Sequence, residues 1–193
     1  GASLVLLSPV FVMLICLMKL SDPKSSVFFK QKRLTRFNQK FTIYKFRSQY
    51  QKYDGTTPEE AFTKMGKPEL IKEYRSNGDS LENDPRITRM GKFLRATSLD
   101  ELPQIYNVFK GDISIVGPRP LIPEEMEQFS KHNIILSVKP GMTGLATVSG
   151  RRDIPFEERR KIDMYYVQNW SFWLDLVIIL RTFVMVLRRD GAR

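Results

Sequence analysis

The first eighteen residues constrain this chain most strongly, because they are almost wholly apolar. Only Ser3 and the pair Ser8 and Pro9 interrupt the run from Ala2 to Met18. As a helix this run is about 25 Å long, slightly less than the roughly 30 Å of a bilayer core. Pro9 removes a backbone hydrogen bond and should kink the helix, and the Ser8 hydroxyl can satisfy the freed carbonyl. The run therefore predicts a membrane segment, either a single span or a kinked re-entrant helix.

The short length and the break at Ser8 and Pro9 favour the re-entrant helix, which we assign to residues 1–20. A signal peptide is disfavoured, because no basic region precedes the run and no small-residue cleavage site follows it. Basic residues crowd its C-terminal flank: Lys19, Lys24, Lys30, Lys32, Arg33 and Arg36. By the positive-inside rule, residues 21–193 should form a single domain at the cytoplasmic face.

The charge and the rare residues narrow the classes of partner. There are 31 lysines and arginines against 21 acidic residues, a formal net charge of +10. That surplus points to nucleic acid, anionic lipid or a phosphate-rich small substrate. The single cysteine, Cys16, excludes an internal disulfide framework. The single histidine, His132, excludes a histidine-rich metal site, so that a bound metal would be a hard ion with oxygen ligands.

Two adjacent carboxylates, Asp100 and Glu101, lie in the segment Ser98–Gln104 at the predicted start of a helix. Apolar residues at helical spacing follow, Gly111 is a natural stop, and Pro103 fits the first turn. The positive end of the helix dipole favours ionised carboxylates. The pair can hold a divalent metal, or one carboxylate can act as a nucleophile. The alternative is a capping box between Ser98 and Glu101, which would be purely structural.

Basic residues recur at every third position before this pair: Arg86, Arg89, Lys92 and Arg95. In a helix over Ile87–Ala96 they would lie along one slowly drifting face. A solvated charged face is the alternative, but this series leads directly into the carboxylates. We therefore expect an anionic substrate whose phosphates face Arg95.

Three further segments complete the predicted site. Residues 113–120 read as a short strand ending in a rigid turn, where Pro118 and Pro120 restrain Arg119. Residues 139–144 are glycine-rich enough for close approach to a ligand. Arg151 follows another glycine, Gly150.

The fold class predicted from these patterns is α+β, a small and mostly helical domain with short strands. Residues 27–47 read as a basic hairpin, and residues 58–65 and 69–74 as short helices. Residues 170–189 are apolar but contain Asp175 and Arg181, which would be costly at bilayer depth. We predict an interfacial amphipathic helix there, with a buried core helix as the alternative.

Six motifs occur along the chain in this order: Phe29–Arg33, Tyr44–Ser48, Thr88–Arg95, Ser98–Gln104, Gly117–Pro120 and Lys139–Gly144. Together they resemble the bacterial sugar transferases, the monotopic phosphoglycosyl transferases that act on polyprenyl phosphate. The ending, from Trp170 to Gly191, resembles the catalytic domain of the larger undecaprenyl-phosphate hexose phosphotransferases, which often carry further N-terminal segments.

The resemblance implies a reaction and a set of roles. A UDP-sugar gives its sugar-1-phosphate to undecaprenyl phosphate and UMP is released, the first membrane step in assembling a surface polysaccharide or glycoconjugate, such as lipopolysaccharide, capsule or exopolysaccharide. Asp100 would be the nucleophile that forms a covalent phosphosugar intermediate, and Glu101, with Asp100, would hold Mg²⁺. The expected substrate contacts are Arg95, Arg119, Arg151, Arg47 and Arg86. The Ser8 and Pro9 kink resembles the family's re-entrant break.

The expected setting is the cytoplasmic leaflet of a bacterial inner membrane, without nucleic acid, and with a homodimer left open. Two other classes remain as alternatives. A nucleic-acid-binding protein would interleave aromatic and basic residues on one surface, whereas the aromatic residues here concentrate in the apolar ends. An inactive membrane scaffold would keep the anchor and have no need of Asp100 and Glu101.

Overall fold

A computed structural model describes residues 2–77, 81–123, 131–150 and 154–188, with side chains from residue 8 onward. The helices are α1 (Ala2–Ser21), α2 (Pro58–Lys64), α3 (Leu70–Ser76), α4 (Arg89–Ala96), α5 (Gln104–Lys110), α6 (His132–Ile135), α7 (Leu145–Gly150), α8 (Phe156–Gln168) and α9 (Phe172–Arg188). The strands are β1 (Phe28–Thr35), β2 (Gln39–Phe46), β3 (Ser114–Val116) and β4 (Gly141–Thr143). Short 3₁₀ turns cover Arg36–Asn38, Gln51–Tyr53 and Leu99–Glu101. The predicted α+β class, mostly helical with short strands, is confirmed.

The described residues group into two compact units, each built from two stretches of chain. Unit 1 takes its residues from 1–29 and 46–100, and unit 2 from 30–45 and 101–191. The predicted division between residues 20 and 21 stays a prediction, as does the assignment of 21–193 to one functional domain. Each unit is described by itself below.

In unit 1, helix α1 runs from Ala2 to Ser21 without interruption across Pro9. Leu14 and Met18 are buried, whereas Val12, Met13 and Leu17 are exposed apolar side chains. One face therefore packs on the protein and another does not. Within the described ranges, no helix is long and apolar enough to cross a membrane. The kink and the re-entrant path stay predictions.

In unit 2, the predicted hairpin is confirmed as strands β1 and β2, which pair in a two-stranded sheet. A link of three residues forces the antiparallel direction, since parallel strands need a longer crossover. Phe37 and Asn38 in this link have φ angles of 57° and 61°. Three clusters of buried apolar residues form the core among the described residues of this unit: Phe41, Ile43 and Ile113; Leu34, Leu121, Ile135 and Leu136; and Val116, Tyr166 and Ile178.

The glycine-rich segment 139–144 packs closely against the turn after β3. Strand β4 lies parallel to β3, with Ser114 opposite Gly141 and Val116 opposite Thr143. A Cβ atom on Gly141 would lie 2.1 Å from the Gly117 nitrogen, and one on Gly144 would lie 2.1 Å from the Gly117 oxygen. The glycines thus allow two stretches of backbone to approach each other, and the predicted approach of a ligand stays a prediction.

Helix α5 corrects the predicted helix after Ser98. It begins at Gln104, with Pro103 as its N-cap, and ends at Gly111, whose φ is 83° as expected for a left-handed stop. Its apolar residues Tyr106 and Phe109 are exposed, and its buried residues are Gln104 and Asn107. The helical period was right, but the polar face is the buried one.

Asn107 explains why that face is buried. Its side-chain oxygen accepts from the Tyr44 nitrogen at 3.1 Å, and its side-chain nitrogen donates to the Thr42 oxygen at 2.7 Å and to Asp112 Oδ2 at 3.0 Å. The side-chain amide of Asn107 is completely buried and binds backbone groups on the edge of β2 that does not face β1. This is stabilising, because the backbone groups and the amide would otherwise lack hydrogen bonds in the interior.

Helix α9 covers the predicted C-terminal helix and is partly a core element. Ile178 is fully buried beside Val116 and Tyr166. Asp175 accepts hydrogen bonds from the Tyr166 hydroxyl at 2.7 Å and from Trp170 Nε1 at 3.1 Å, so its charge has local partners. The large side chains on the rest of the helix are exposed: Phe172, Trp173, Val177, Ile179, Leu180, Phe183, Val184 and Leu187. The helix thus joins a buried contact to a broad exposed apolar face.

Candidate active site

The two carboxylates lie in a 3₁₀ turn, Leu99–Glu101, between the end of α4 and the start of α5. They are therefore not in the first turn of an α-helix, and the predicted stabilisation by the α5 dipole does not apply to them directly. Helix α5 itself has Pro103 as its N-cap and no side-chain cap, and the alternative of a capping box between Ser98 and Glu101 stays open.

Ser98 sets the direction in which the carboxylates are presented. Its φ is 56°, in the left-handed region that non-glycine residues seldom occupy, at a cost of order 1 kcal/mol. Its nitrogen donates to the Arg95 oxygen at 3.2 Å, which closes the last turn of α4. The chain thus changes direction at Ser98, directly after α4, and Asp100 follows two residues later in the 3₁₀ turn.

The two carboxylates have different surroundings. Asp100 is only 7% exposed, whereas Glu101 is partly exposed. In unit 2, Lys45 Nζ donates to Glu101 Oε1 at 2.6 Å, and both side chains are partly exposed. The ion pair fixes the position of one of the two glutamate oxygens. Lys45 was not predicted as a site residue. The sequence feature that could have pointed to Lys45 is its place in strand β2, where side chains alternate between the two faces.

In unit 1, Ser48 anchors helix α4 and with it Arg95. The Thr88 nitrogen donates to the Ser48 oxygen at 3.0 Å, and Arg95 Nε donates to Ser48 Oγ at 2.8 Å. A Cβ atom on Gly91 would lie 1.9 Å from the Ser48 oxygen, so only glycine allows this approach. Two turns of α4 are thereby held against one residue, and the Arg95 guanidinium is oriented by its Nε.

Arg86 has structural partners rather than a place in the predicted basic series. Helix α4 begins at Arg89, with Thr88 as its N-cap, so Arg86 is not on the helix. Arg86 and Asp84 are each 6% exposed and make a two-pronged ion pair, with contacts of 2.7 to 3.1 Å. The guanidinium also lies over the rings of Phe62 and Tyr74, 4.6 and 4.8 Å from their centroids. This environment favours a stabilising role.

Arg47 is buried in a similar way. It binds the Asp54 carboxylate, the Ser26 oxygen at 2.8 Å, Ser26 Oγ at 2.7 Å and the Phe28 oxygen at 3.2 Å. Its charge is therefore balanced by Asp54, and its donors hold the segment that follows α1. A role in binding substrate stays a prediction for both Arg47 and Arg86.

Arg47 also lines a cavity of about 340 Å³ within unit 1. The cavity lies between the C-terminal end of α1, represented by Met18 and Ser21, and the N-terminal end of α4, represented by Thr88 and Arg89. The predicted membrane helix and the helix that carries Arg95 thus share the walls of one cavity.

Arg119 lies in unit 2, on the turn after β3, and is exposed between the buried Pro118 and Pro120. The predicted rigid turn is confirmed: the Gly141 nitrogen donates to the Pro118 oxygen at 2.9 Å, and Arg33 Nη1 donates to the Pro120 oxygen at 3.0 Å. Arg151, predicted as a weaker contact, lies outside the described residues.

The predicted magnesium site at Asp100 and Glu101 stays a prediction. In the part of the chain that the structure describes, no group of three or more metal-ligating side chains comes together. Magnesium commonly uses one or two carboxylates, with waters and substrate phosphates completing its octahedron. Asp100 and Glu101 can supply such carboxylate oxygens, although one oxygen of Glu101 already accepts from Lys45.

We expect Arg95→Lys to lower the turnover of a phosphate substrate by on the order of 10-fold to 100-fold, because lysine keeps the charge but loses the fork. The Nε contact with Ser48 would be lost as well. Steady-state kinetics test this, with Lys92→Arg as the matched control, since Lys92 is exposed on the same helix and contacts Asn83. Unchanged kinetics in Arg95→Lys would mean that Arg95 belongs to a solvated charged face of α4 and does not bind the substrate.

A buried carboxylate next to a second one, with an arginine five residues earlier that Ser48 orients, is a combination of side chains suited to enzymes that act on phosphate groups. The family model of the bacterial sugar transferases matches residues 1–189 of the chain. The chain therefore belongs to the bacterial sugar transferase family.

Its relatives carry consistent names. The chain is 41% identical to an undecaprenyl-phosphate galactose phosphotransferase of Salmonella typhimurium, over 98% of this chain and 39% of that protein. It is 40% identical to the exopolysaccharide production protein ExoY of Rhizobium meliloti, over 100% of this chain and 83% of that protein. A UDP-galactose-lipid carrier transferase of Erwinia amylovora is 41% identical, over 97% of this chain and 38% of that protein. The chain thus spans well under half of the first and third relatives.

Proposed function

We propose that this chain transfers a sugar-1-phosphate from a UDP-sugar to undecaprenyl phosphate and releases UMP. The observation that carries the proposal is the buried Asp100 followed directly by Glu101, the residue that Lys45 holds. The family supports the reaction type, and the names of the Salmonella and Erwinia relatives support the two substrates. A net charge of +10 suits a protein whose donor and acceptor are both anionic.

In the proposed first half-reaction, an oxygen of the Asp100 carboxylate attacks the donor phosphorus that carries the sugar. A new bond forms between this oxygen and phosphorus, and the bond from that phosphorus to the oxygen bridging it to UMP breaks. UMP leaves with that electron pair, and the sugar-phosphate remains on Asp100. An ionised carboxylate needs no general base, so no proton is moved in this step.

In the second half-reaction, an oxygen of the lipid phosphate attacks the same phosphorus. The bond from phosphorus to the Asp100 oxygen breaks, and the carboxylate is regenerated. The product is a lipid diphosphate that carries the sugar. Arg95 is the residue of unit 1 that we assign to the negative charge on the transferred phosphoryl group, because a guanidinium binds two phosphate oxygens at once.

Magnesium is part of the proposal. When bound through the carboxylate oxygens of the pair, the ion would supply positive charge to the diphosphate of the donor. Lys45 would orient Glu101 for that purpose, since it holds one of the two glutamate oxygens.

We further propose that α1 and α9 attach the protein to the cytoplasmic leaflet of a bacterial inner membrane, as expected for a lipid acceptor. Exposed apolar side chains on both helices support this, namely Val12, Met13 and Leu17 on α1 and the exposed face of α9. Burying such side chains in lipid rather than water is favourable by about 1.5–3 kcal/mol each. Asp175 has partners within the protein, so it would not oppose contact with lipid.

A donor panel tests the proposed reaction. The chain in nanodiscs, supplied with Mg²⁺ and undecaprenyl phosphate, is given UDP-galactose, UDP-glucose and further UDP-sugars in turn. We expect UMP release with at least one donor, dependent on the lipid and on Mg²⁺. Failure to release UMP from any donor would contradict the proposal. UMP release in the presence of EDTA would contradict only the proposed role of magnesium.

Cysteine labelling tests the re-entrant path of α1. Cysteines introduced at Ala2 and at Lys24, in a Cys16→Ser background, should both label from the cytoplasmic side. Replacing Ser8 and Pro9 with leucine should straighten the segment and move its N-terminal end across the bilayer. The matched control replaces Val12 and Met13 with leucine, which leaves the proline in place. Labelling of the Ala2 position from the periplasmic side in the otherwise unchanged segment would show a single span instead.

A further inference from the structure

Helix α8 has a polar stripe inside the protein that the proposed reaction does not use. Arg160, Asp163 and Tyr166 are 0%, 1% and 3% exposed and are spaced three residues apart, so they share one face. Tyr166 is accounted for by its hydrogen bond to Asp175 at 2.7 Å. Arg160 and Asp163 form an ion pair at 3.3 Å and face a different part of unit 2.

That part is the backbone of Arg119. Its nitrogen donates to Asp163 Oδ1 at 3.4 Å, and its oxygen accepts from Arg160 Nη1 at 3.4 Å. These are long hydrogen bonds, but both partners are charged and completely buried, where such contacts are stronger than in water. The two polar groups of one exposed residue are thus held by the two members of one buried ion pair.

The neighbouring backbone is held as well. The Pro118 oxygen accepts from the Gly141 nitrogen at 2.9 Å, and the Pro120 oxygen accepts from Arg33 Nη1 at 3.0 Å. Three consecutive carbonyls therefore have partners from three different parts of unit 2, and the two prolines fix φ on either side. The Arg119 side chain is the exposed group on a turn whose three carbonyls all accept hydrogen bonds.

We propose that Arg160 and Asp163 are positioning residues that hold the backbone of Arg119 so that its guanidinium is presented to the diphosphate of the nucleotide-sugar donor. The assignment of the ligand rests on the proposed function. A fixed backbone removes two torsions from those that binding must order, so that less conformational entropy is lost when the fork meets phosphate oxygens.

The cost of the buried pair supports a role beyond stability. Burying two charges is expensive, and replacing such a pair by apolar residues of similar size is often neutral or stabilising. Desolvation raises the pKa of the Asp163 carboxyl to about 6 against the opposing effect of the nearby arginines, of which Arg160 has the largest effect. At neutral pH the carboxylate is ionised and can pair with Arg160.

The test uses a variant that removes both charges together, Arg160→Met with Asp163→Leu, because a single replacement would leave one charge buried alone and could unfold the protein. Lys161→Met is the matched control, since Lys161 is the exposed neighbour on the same helix. Two readouts are needed: hydrogen exchange of the Arg119 amide, followed in peptides that cover residues 117–121, and the KM and kcat for the UDP-sugar donor found in the panel.

We expect the double variant to lose at least tenfold in protection at Arg119 and to raise the donor KM at least tenfold, while kcat changes less. In an Arg119→Ala background the same double variant should raise the KM less than twofold, because the residue it positions is already gone. The Lys161→Met control should match the parent in both readouts.

Two results would overturn the inference: unchanged protection of the Arg119 amide, or a KM increase that is equally large with and without Arg119. A parent chain that releases no UMP would instead refute the proposed function. The exchange measurement then still decides whether the buried pair holds the Arg119 backbone, and binding of UDP-glucose by calorimetry decides whether that backbone matters for a donor.

Discussion

Replacing Asp100 with asparagine should abolish UMP release, with a fall of at least ~10³-fold, as is common when a catalytic nucleophile is lost. The amide has nearly the same shape, so the buried position can still be filled, but it is a far poorer nucleophile than a carboxylate. The covalent sugar-phosphate adduct, detected by intact-mass spectrometry after donor is added without lipid acceptor, should disappear as well. Glu101→Gln should also be strongly impaired and should weaken the dependence on Mg²⁺.

The matched control is Glu82→Gln, which removes the charge of an exposed carboxylate in the same unit. It should retain parental activity and a parental yield of adduct. Turnover like that of the parent in Asp100→Asn would rule out the covalent mechanism. If turnover is lost but the adduct is still present, another residue is the nucleophile and Asp100 acts in the second half-reaction.

The second large effect concerns stability. Asp84→Ala should lower the free energy of unfolding by about 3–5 kcal/mol, because it leaves the Arg86 charge buried without its counter-ion. The ion pair is almost fully shielded from solvent, and the guanidinium lies 4.6 and 4.8 Å from the ring centroids of Phe62 and Tyr74. Urea unfolding followed by circular dichroism measures the difference.

Two comparisons make that result specific. Asn83→Ala, at the neighbouring exposed position, should cost less than about 0.5 kcal/mol, as is usual for surface substitutions. The pair variant Asp84→Leu with Arg86→Met should recover most of the lost stability, since no charge remains buried. A small effect of Asp84→Ala would mean that Arg86 reaches solvent, and its predicted role in binding substrate would regain support.

The sequence alone was sufficient for the features that depend on neighbouring residues. The β-forming residues at 41–46 predicted strand β2, although the strand begins two residues earlier, at Gln39. The helix predicted over residues 58–65 does begin at Pro58, with a capping box at Thr57. Gly111 ends α5 with the expected left-handed conformation. The carboxylate pair was visible because Asp100 and Glu101 are consecutive, and the six motifs around it led to the family that the comparison confirms.

Distant partners decided the rest, because a side chain's role depends on what lies opposite it in the fold. Period alone could not show that α5 buries Asn107 rather than Phe109, since the deciding hydrogen bonds go to strand β2, more than sixty residues earlier. Arg86 and Arg95 belong to the same series of basic residues at every third position. Arg86, however, is buried against Phe62 and Tyr74, which gives it a different environment. Local sequence therefore determined the elements and the reactive pair, whereas tertiary contacts determined which charges are stabilising, which are presented to solvent, and which residues hold them in place.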